Sequence, residues 1–122
     1  MYQCKNFNLK ELLPEHLYGK KGFGWNTFDE RLKITLDAIR DILGVPLICN
    51  NWEHGGKRDN CGARDESSPY YKPGSYHSIR RDRKVMAADL ISTRMTAEEM
   101  RRKLVENYQK LPYPIRIEQG VS

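Results

Sequence analysis

A chain of 122 residues, 39% hydrophobic and 30% charged, carries a formal net charge of +5 and has material for one hydrophobic core, not two. That composition excludes a disordered tail and a fibrous repeat. No apolar run nears the ~20 residues of a membrane span, and the opening MYQCKNFNLKELL lacks the apolar centre of an export signal, so a single unit over 1–122 with neither span nor signal peptide is expected.

Residues 7–13, FNLKELL, read as a short amphipathic helix. Residues 14–24 follow as a loop, with Gly19, Gly22 and Gly24 allowing turns. A helix over 27–43 is the clearest element. Asn26 or Thr27 can cap it, and Asp29 and Glu30 sit near its positive end. Leu32, Ile34, Leu36, Ile39 and Leu43 recur at three- and four-residue spacing and form one buried face. Gly44 stops the helix, and Pro46 prevents continuation. Leu47, Ile48 and Cys49 make a short apolar strand.

Residues 50–84 show no periodicity and hold four glycines, two prolines and two of the three histidines. A stretch of that kind in a small domain points to function or disorder. Val85–Ile91 reads as a buried strand interrupted by Asp89. A carboxylate there needs a cation, a metal or hydrogen-bond donors. Thr96 and Glu99 form a capping box for a helix over 97–110, with Met100, Leu104 and Tyr108 as its buried stripe. Pro112 and Pro114 end it, and Ile115–Glu118 alternates as a strand with one wet face. The expected fold is α+β: two main helices packed on a small, mainly antiparallel sheet.

The positive charge gathers at Arg80, Arg81, Arg83 and Lys84, and again at Arg101, Arg102 and Lys103. Solvated faces explain both clusters. An anionic partner, whether nucleic acid or cell wall, is the functional alternative. Arg80–Lys84 near Tyr70, Tyr71 and Tyr76 would suit nucleic acid, but no recognisable motif supports that reading. Of three cysteines, Cys49 and Cys61 could pair or bind metal, while the apolar run around Cys49 favours ordinary packing.

The richest group is Ser75-Tyr76-His77 followed by Asp89, twelve positions after the histidine. Imidazole and carboxylate are zinc donors, although two ligands alone hold zinc weakly. On spacing alone, a loop histidine is more often a surface or structural residue than a ligand.

These residues resemble the zinc D-Ala-D-Ala carboxypeptidase and L-Ala-D-Glu endopeptidase family, which has the Hedgehog/D,D-peptidase fold, and in particular its small phage and bacterial members. Ser75-Tyr76-His77 and Ala87-Ala88-Asp89 carry the two halves of the family pattern S-x-H-x-x-G-x-A-x-D. Gly62-Ala63-Arg64 fits the upstream glycine–arginine feature. The resemblance implies that His77 and Asp89 are zinc ligands. It implies that Arg64 binds a substrate carboxylate or polarises the scissile carbonyl, and that Ser75 supports the substrate. Glu118 is implied as general base; a solvent-facing strand position is its plain alternative. For Arg64 the plain alternative is an ion pair with Asp65 or Glu66. The implied reaction is amide hydrolysis in the peptide stem of peptidoglycan, by a bacterial or phage-associated, endolysin-like protein acting at the cell wall. The histidine-to-aspartate spacing is wider than the family's, and Val85 stands where the pattern has glycine. The family's closing H-x-D strand has no counterpart here, so the third ligand is missing and neither His16 nor His54 matches it. Two explanations are expected: the sequence is a C-terminally shortened piece of a longer active protein, or it is a catalytically inactive binding or phage structural module; zinc content separates enzyme from module.

Overall fold

The computed structural model describes residues 1–117. It contains α1 (Glu30–Leu43) and α2 (Ala97–Glu106), joined by long irregular segments with four short 3-10 turns. α1 starts where Asp29, not Asn26 or Thr27, caps it by accepting from the Arg31 backbone N–H. Residues 25–27 form a 3-10 turn instead. Gly44 ends α1 with φ 70°, a left-handed conformation that a side chain would strain.

The expected stripe buries Leu36, Ile39 and Leu43, and Leu32 packs at its edge. Lys33 and Asp37, outside that stripe, are also buried. The first residues of the chain cover them. Asp37 accepts from the Tyr2 hydroxyl, from Lys5 N at 2.7 Å and from Asn6 N at 2.9 Å. Lys33 Nζ reaches Glu30 at 2.6 Å and the Trp25 carbonyl at 3.1 Å. These bonds offset the desolvation of both charges. The same Asp37 contact pushes the Tyr2 phenol up to about 12.

α2 has the expected Thr96–Glu99 capping box and buries Met100 and Leu104 against α1. Lys103 Nζ donates to the Leu43 carbonyl at 3.3 Å, satisfying one open acceptor at the α1 C-terminus. The helix is shorter than expected. It yields to a 3-10 turn at Tyr108–Lys110, which leaves Tyr108 exposed. The 7–13 segment likewise forms only a 3-10 turn, Leu9–Glu11.

The expected sheet does not form. Among the described residues, pairing is limited to three isolated bridges: Phe28 with Val85, Ile48 with Ile91, and Arg64 with Ser78. The reason lies in how residues 85–91 spend their backbone groups. Val85 bonds Thr27 and Asp29, Met86 bonds Tyr76, Asp89 bonds Cys61, and Ile91 bonds Ile48. A ladder needs successive residues on one partner, and this segment changes partner at almost every step. The α+β assignment is corrected accordingly to a helical pair with an irregular, cross-tied loop layer. Residues 115–117 join no bridge, and Glu118 lies outside the described residues.

Phe28, Leu12, Leu13, Leu36, Leu43, Cys49 and Val85 form the centre of the core. Phe28 is fully buried where the start of α1 meets Val85. Phe28→Ala is expected to cost about 3–5 kcal/mol of stability. Denaturant unfolding measures it, and a loss below roughly 1 kcal/mol would contradict this packing. No helix among the described residues is long and apolar enough to cross a membrane.

Candidate functional site

The site is assembled by three loop segments tied through their backbones. Arg64 N–H donates to the His77 carbonyl at 2.9 Å, and Ile79 N–H donates back to the Arg64 carbonyl at 2.8 Å. Asp89 N–H donates to the Cys61 carbonyl at 2.7 Å. Buried Asn50 locks this layer to the opening segment. Its side chain accepts from Cys61 N at 2.9 Å and donates to the Leu13 carbonyl at 3.0 Å. Arg58 binds the Cys49 carbonyl at 2.8 Å and the Asp89 carbonyl at 3.2 Å.

His77, Asp89 and Arg64 therefore meet despite the separation in sequence. His77 Nε2 lies 3.5 Å from Asp89 Oδ1, and Arg64 Nη2 lies 3.3 Å from Asp89 Oδ2. The imidazole is 12% exposed and the carboxylate 53% exposed, so the pair opens to solvent on the carboxylate side. Asp89 is not on a buried strand, as expected from its apolar neighbours, but at the mouth of a loop layer.

The other nitrogen of His77 fixes the ring. Nδ1 is 2.9 Å from the Gly62 carbonyl, which can only accept. Nδ1 therefore carries the proton. In the neutral ring, Nε2 is then a bare lone pair facing a carboxylate oxygen. Two acceptors face each other stably only with a proton or a metal cation between them. A charge-assisted N–H···O bond runs ~2.7–2.9 Å, shorter than the 3.5 Å found here. Two ligands at ~2.1 Å from a tetrahedral ion stand ~3.4 Å apart. The spacing fits two corners of a zinc site, and the Gly62 carbonyl is the backbone acceptor that usually orients a metal-bound histidine. A third corner is not filled: among the described residues, no group of three His, Cys, Asp or Glu side chains could hold a metal.

Gly62 makes this arrangement possible. A Cβ there would stand 2.1 Å from the Leu12 carbonyl oxygen. That carbonyl is held by the Ala63 N–H at 2.9 Å, so backbone meets backbone with no side chain to yield.

When a proton rather than a metal lies between the two groups, the hydrogen bond from His77 holds the Asp89 carboxyl below the usual carboxylate range, helped by the charges of His77, Arg64 and Arg58, against partial burial. A lowered folded value stabilises the folded chain above the ordinary carboxylate pKa of ~4 and loses that contribution as pH falls through the folded value. Asp89→Asn is expected to be less stable than the parent near pH ~7, with the gap closing as pH falls below the ordinary carboxylate pKa of ~4. A gap that stays constant over that range, followed by chemical denaturation, would contradict the pairing.

Ser75 sits beneath the histidine. Its hydroxyl accepts from His77 N–H at 3.2 Å, and its carbonyl accepts from Arg83 Nη2 at 2.6 Å. In this structure its contacts shape the turn that presents His77. Arg64 pairs with Asp89 rather than with Asp65 or Glu66; its Nε binds the Asn60 carbonyl at 2.7 Å, and its guanidinium lies over Tyr70 at 5.7 Å. Asp65 is taken instead by His16 at 2.8 Å. Cys49 and Cys61 are free thiols, and burial pushes both upward.

No family model, curated protein or solved structure matches the chain.

Sequence reasoning missed Arg58, Asn50 and Tyr70 as supports of the site. Arg58 and Asn50 act on main-chain carbonyls and amides of distant segments, and nothing in their local sequence signals that. The extra length between His77 and Asp89, close to residues 78–84, reads from the sequence as a basic hairpin extension that leaves both ligands in place. It forms bends without a ladder, held to the 73–76 loop by Arg80 on the Pro73 carbonyl at 2.8 Å and by Arg83 on Ser75.

Proposed function

We propose that this chain is a zinc-dependent peptidoglycan peptidase-like domain that hydrolyses an amide bond in the cell-wall peptide stem. The observation that carries the reading is the His77–Asp89 pair, spaced for a shared cation beside the Arg64 guanidinium. The support is twofold: the motif residues of the resembled family converge, and Gly62 holds the His77 ring with Nε2 available.

His77 Nε2 and an Asp89 oxygen would hold the metal. Bound zinc supplies Lewis acidity and a water acidified towards neutral pH. Arg64 is placed to grip a substrate carboxylate or to stabilise negative charge developing on the scissile carbonyl oxygen, as a planar guanidinium fork does. Its stacking on Tyr70 and its bond to the Asn60 carbonyl limit its rotamers, so the fork is oriented in advance. Ser75 orients His77 through the turn. Glu118 remains the proposed base that would take a proton from water and return it to the leaving amine. A third donor is required for tight binding.

The test is incubation of the zinc-supplemented protein with purified muropeptides, following release of new amino groups. Cleavage that disappears in Arg64→Ala with zinc content unchanged supports the reading. Bound zinc with no cleavage of any stem peptide overturns hydrolysis and leaves an inactive binding module.

A further inference from the structure

We infer that the basic hollow beside the 22–27 turn is a binding site for the phosphates of a flexible phosphodiester polymer of the polyol-phosphate type. The hollow encloses about 370 Å³. Phe23 and Ile79 contribute its apolar lining, and Arg80, Arg81, Arg83 and Lys84 its charge, against the single carboxylate of Asp82.

The cations are not equivalent. Arg80 is spent on Asp82 at 2.7 Å and on the Pro73 carbonyl. Arg83 is tied to the Ser75 carbonyl and lies over Tyr76 at 4.8 Å, yet its buried Nε has no hydrogen-bond partner among the described residues. Arg81 and Lys84 make no ion pair among the described residues. Lys84 lies near Asp29, but that carboxylate already binds Arg31 at 2.9 Å. Four positive groups thus converge with one carboxylate to balance them, around a concave space. Self-repulsion of this kind is relieved by an anion that bridges cations. The non-bridging oxygens of a phosphodiester can do so, pairing with a guanidinium fork and an ammonium together.

The hollow does not suit nucleic acid. Single strands gain affinity by stacking bases on open aromatic faces. Phe23 is the one aromatic in the lining, and it packs against the core; Tyr76 and Tyr70 are exposed but stand outside the hollow, each with one ring face turned to Arg83 or Arg64. The cations are offered without a base platform, which favours a polymer that has phosphates and no bases. The inference needs no metal and no hydrolysis.

The experiment measures binding of the full chain to poly(glycerol phosphate) and to single-stranded DNA of equal charge, by calorimetry at low and raised salt. The polymer is expected to bind with salt-dependent affinity, weakened roughly tenfold or more in the Arg81→Ala/Lys84→Ala double variant. Arg94→Ala/Lys110→Ala removes the same charge elsewhere on the exposed surface and is expected to change little. His77→Ala is expected to bind as the parent does, which separates this site from the metal reading. Equal weakening by both double variants, DNA binding as tight as the polymer's, or no polymer binding at low salt would overturn the proposal.

Discussion

His77→Ala is expected to abolish zinc binding while leaving the chain folded. The side chain supplies one of the two donors that the described residues bring together, and no neighbouring imidazole can replace it: His16 is engaged with Asp65 and Ser67, and His54 sits in the Trp52–His54 turn. Loss of one donor from a strongly coupled pair leaves a lone carboxylate, which binds zinc poorly. The fold should survive. The ring is mostly buried, and its one side-chain hydrogen bond to a carbonyl is to Gly62. A stability loss of about 1–2 kcal/mol is expected from that bond and from lost packing. Elemental analysis after gel filtration reads the metal, and unfolding reads the stability. Undiminished zinc stoichiometry in the folded variant would contradict the role given to His77.

Gly62→Ala is expected to have the larger effect on the whole site. The added Cβ meets the Leu12 carbonyl at 2.1 Å, so either the 61–64 segment or the 12–13 segment must move. The first carries the acceptor for His77 Nδ1, the carbonyl that holds Asp89 N–H, and Arg64 itself. The second lies in the core with Leu12 and Leu13 fully buried. Overpacking a rigid contact of this kind costs roughly 2–4 kcal/mol. The variant should lose stability and zinc affinity together, whereas His77→Ala loses mainly the metal. Gly62→Ala with parental stability and parental zinc affinity would show that the close approach to Leu12 is not a constraint.

Much of this was legible in the residues, and the boundary between what was and was not has a physical cause. α1 and its Gly44 stop follow from periodicity and from one left-handed position, both local signals. The Thr96–Glu99 box is local too. The sheet was expected because Leu47–Cys49 and Val85–Ile91 are apolar and short, a composition shared by strands and by buried irregular chain. Only the destination of each backbone N–H distinguishes them. Residues 85–91 distribute those bonds over four segments, and no single stretch of sequence records that. Burial of Lys33 and Asp37 was invisible for a similar reason: the covering residues are far away in the chain, at its beginning. Within the site, the chemistry-bearing types were recognisable from the motif fragments. The supports that orient them, Asn50 and Arg58, act across long sequence separations and left no local mark.

The measurement closest to the central claim is a long-range 15N NMR experiment on the His77 ring during zinc titration. At one equivalent, Nε2 is expected to move to the shift of a metal-bound nitrogen while Nδ1 stays protonated on the Gly62 carbonyl, and Asp89→Ala is expected to abolish the change. Ring nitrogens that do not respond to zinc, or a response at Nδ1 with Nε2 unaffected, would contradict a cation shared by His77 and Asp89.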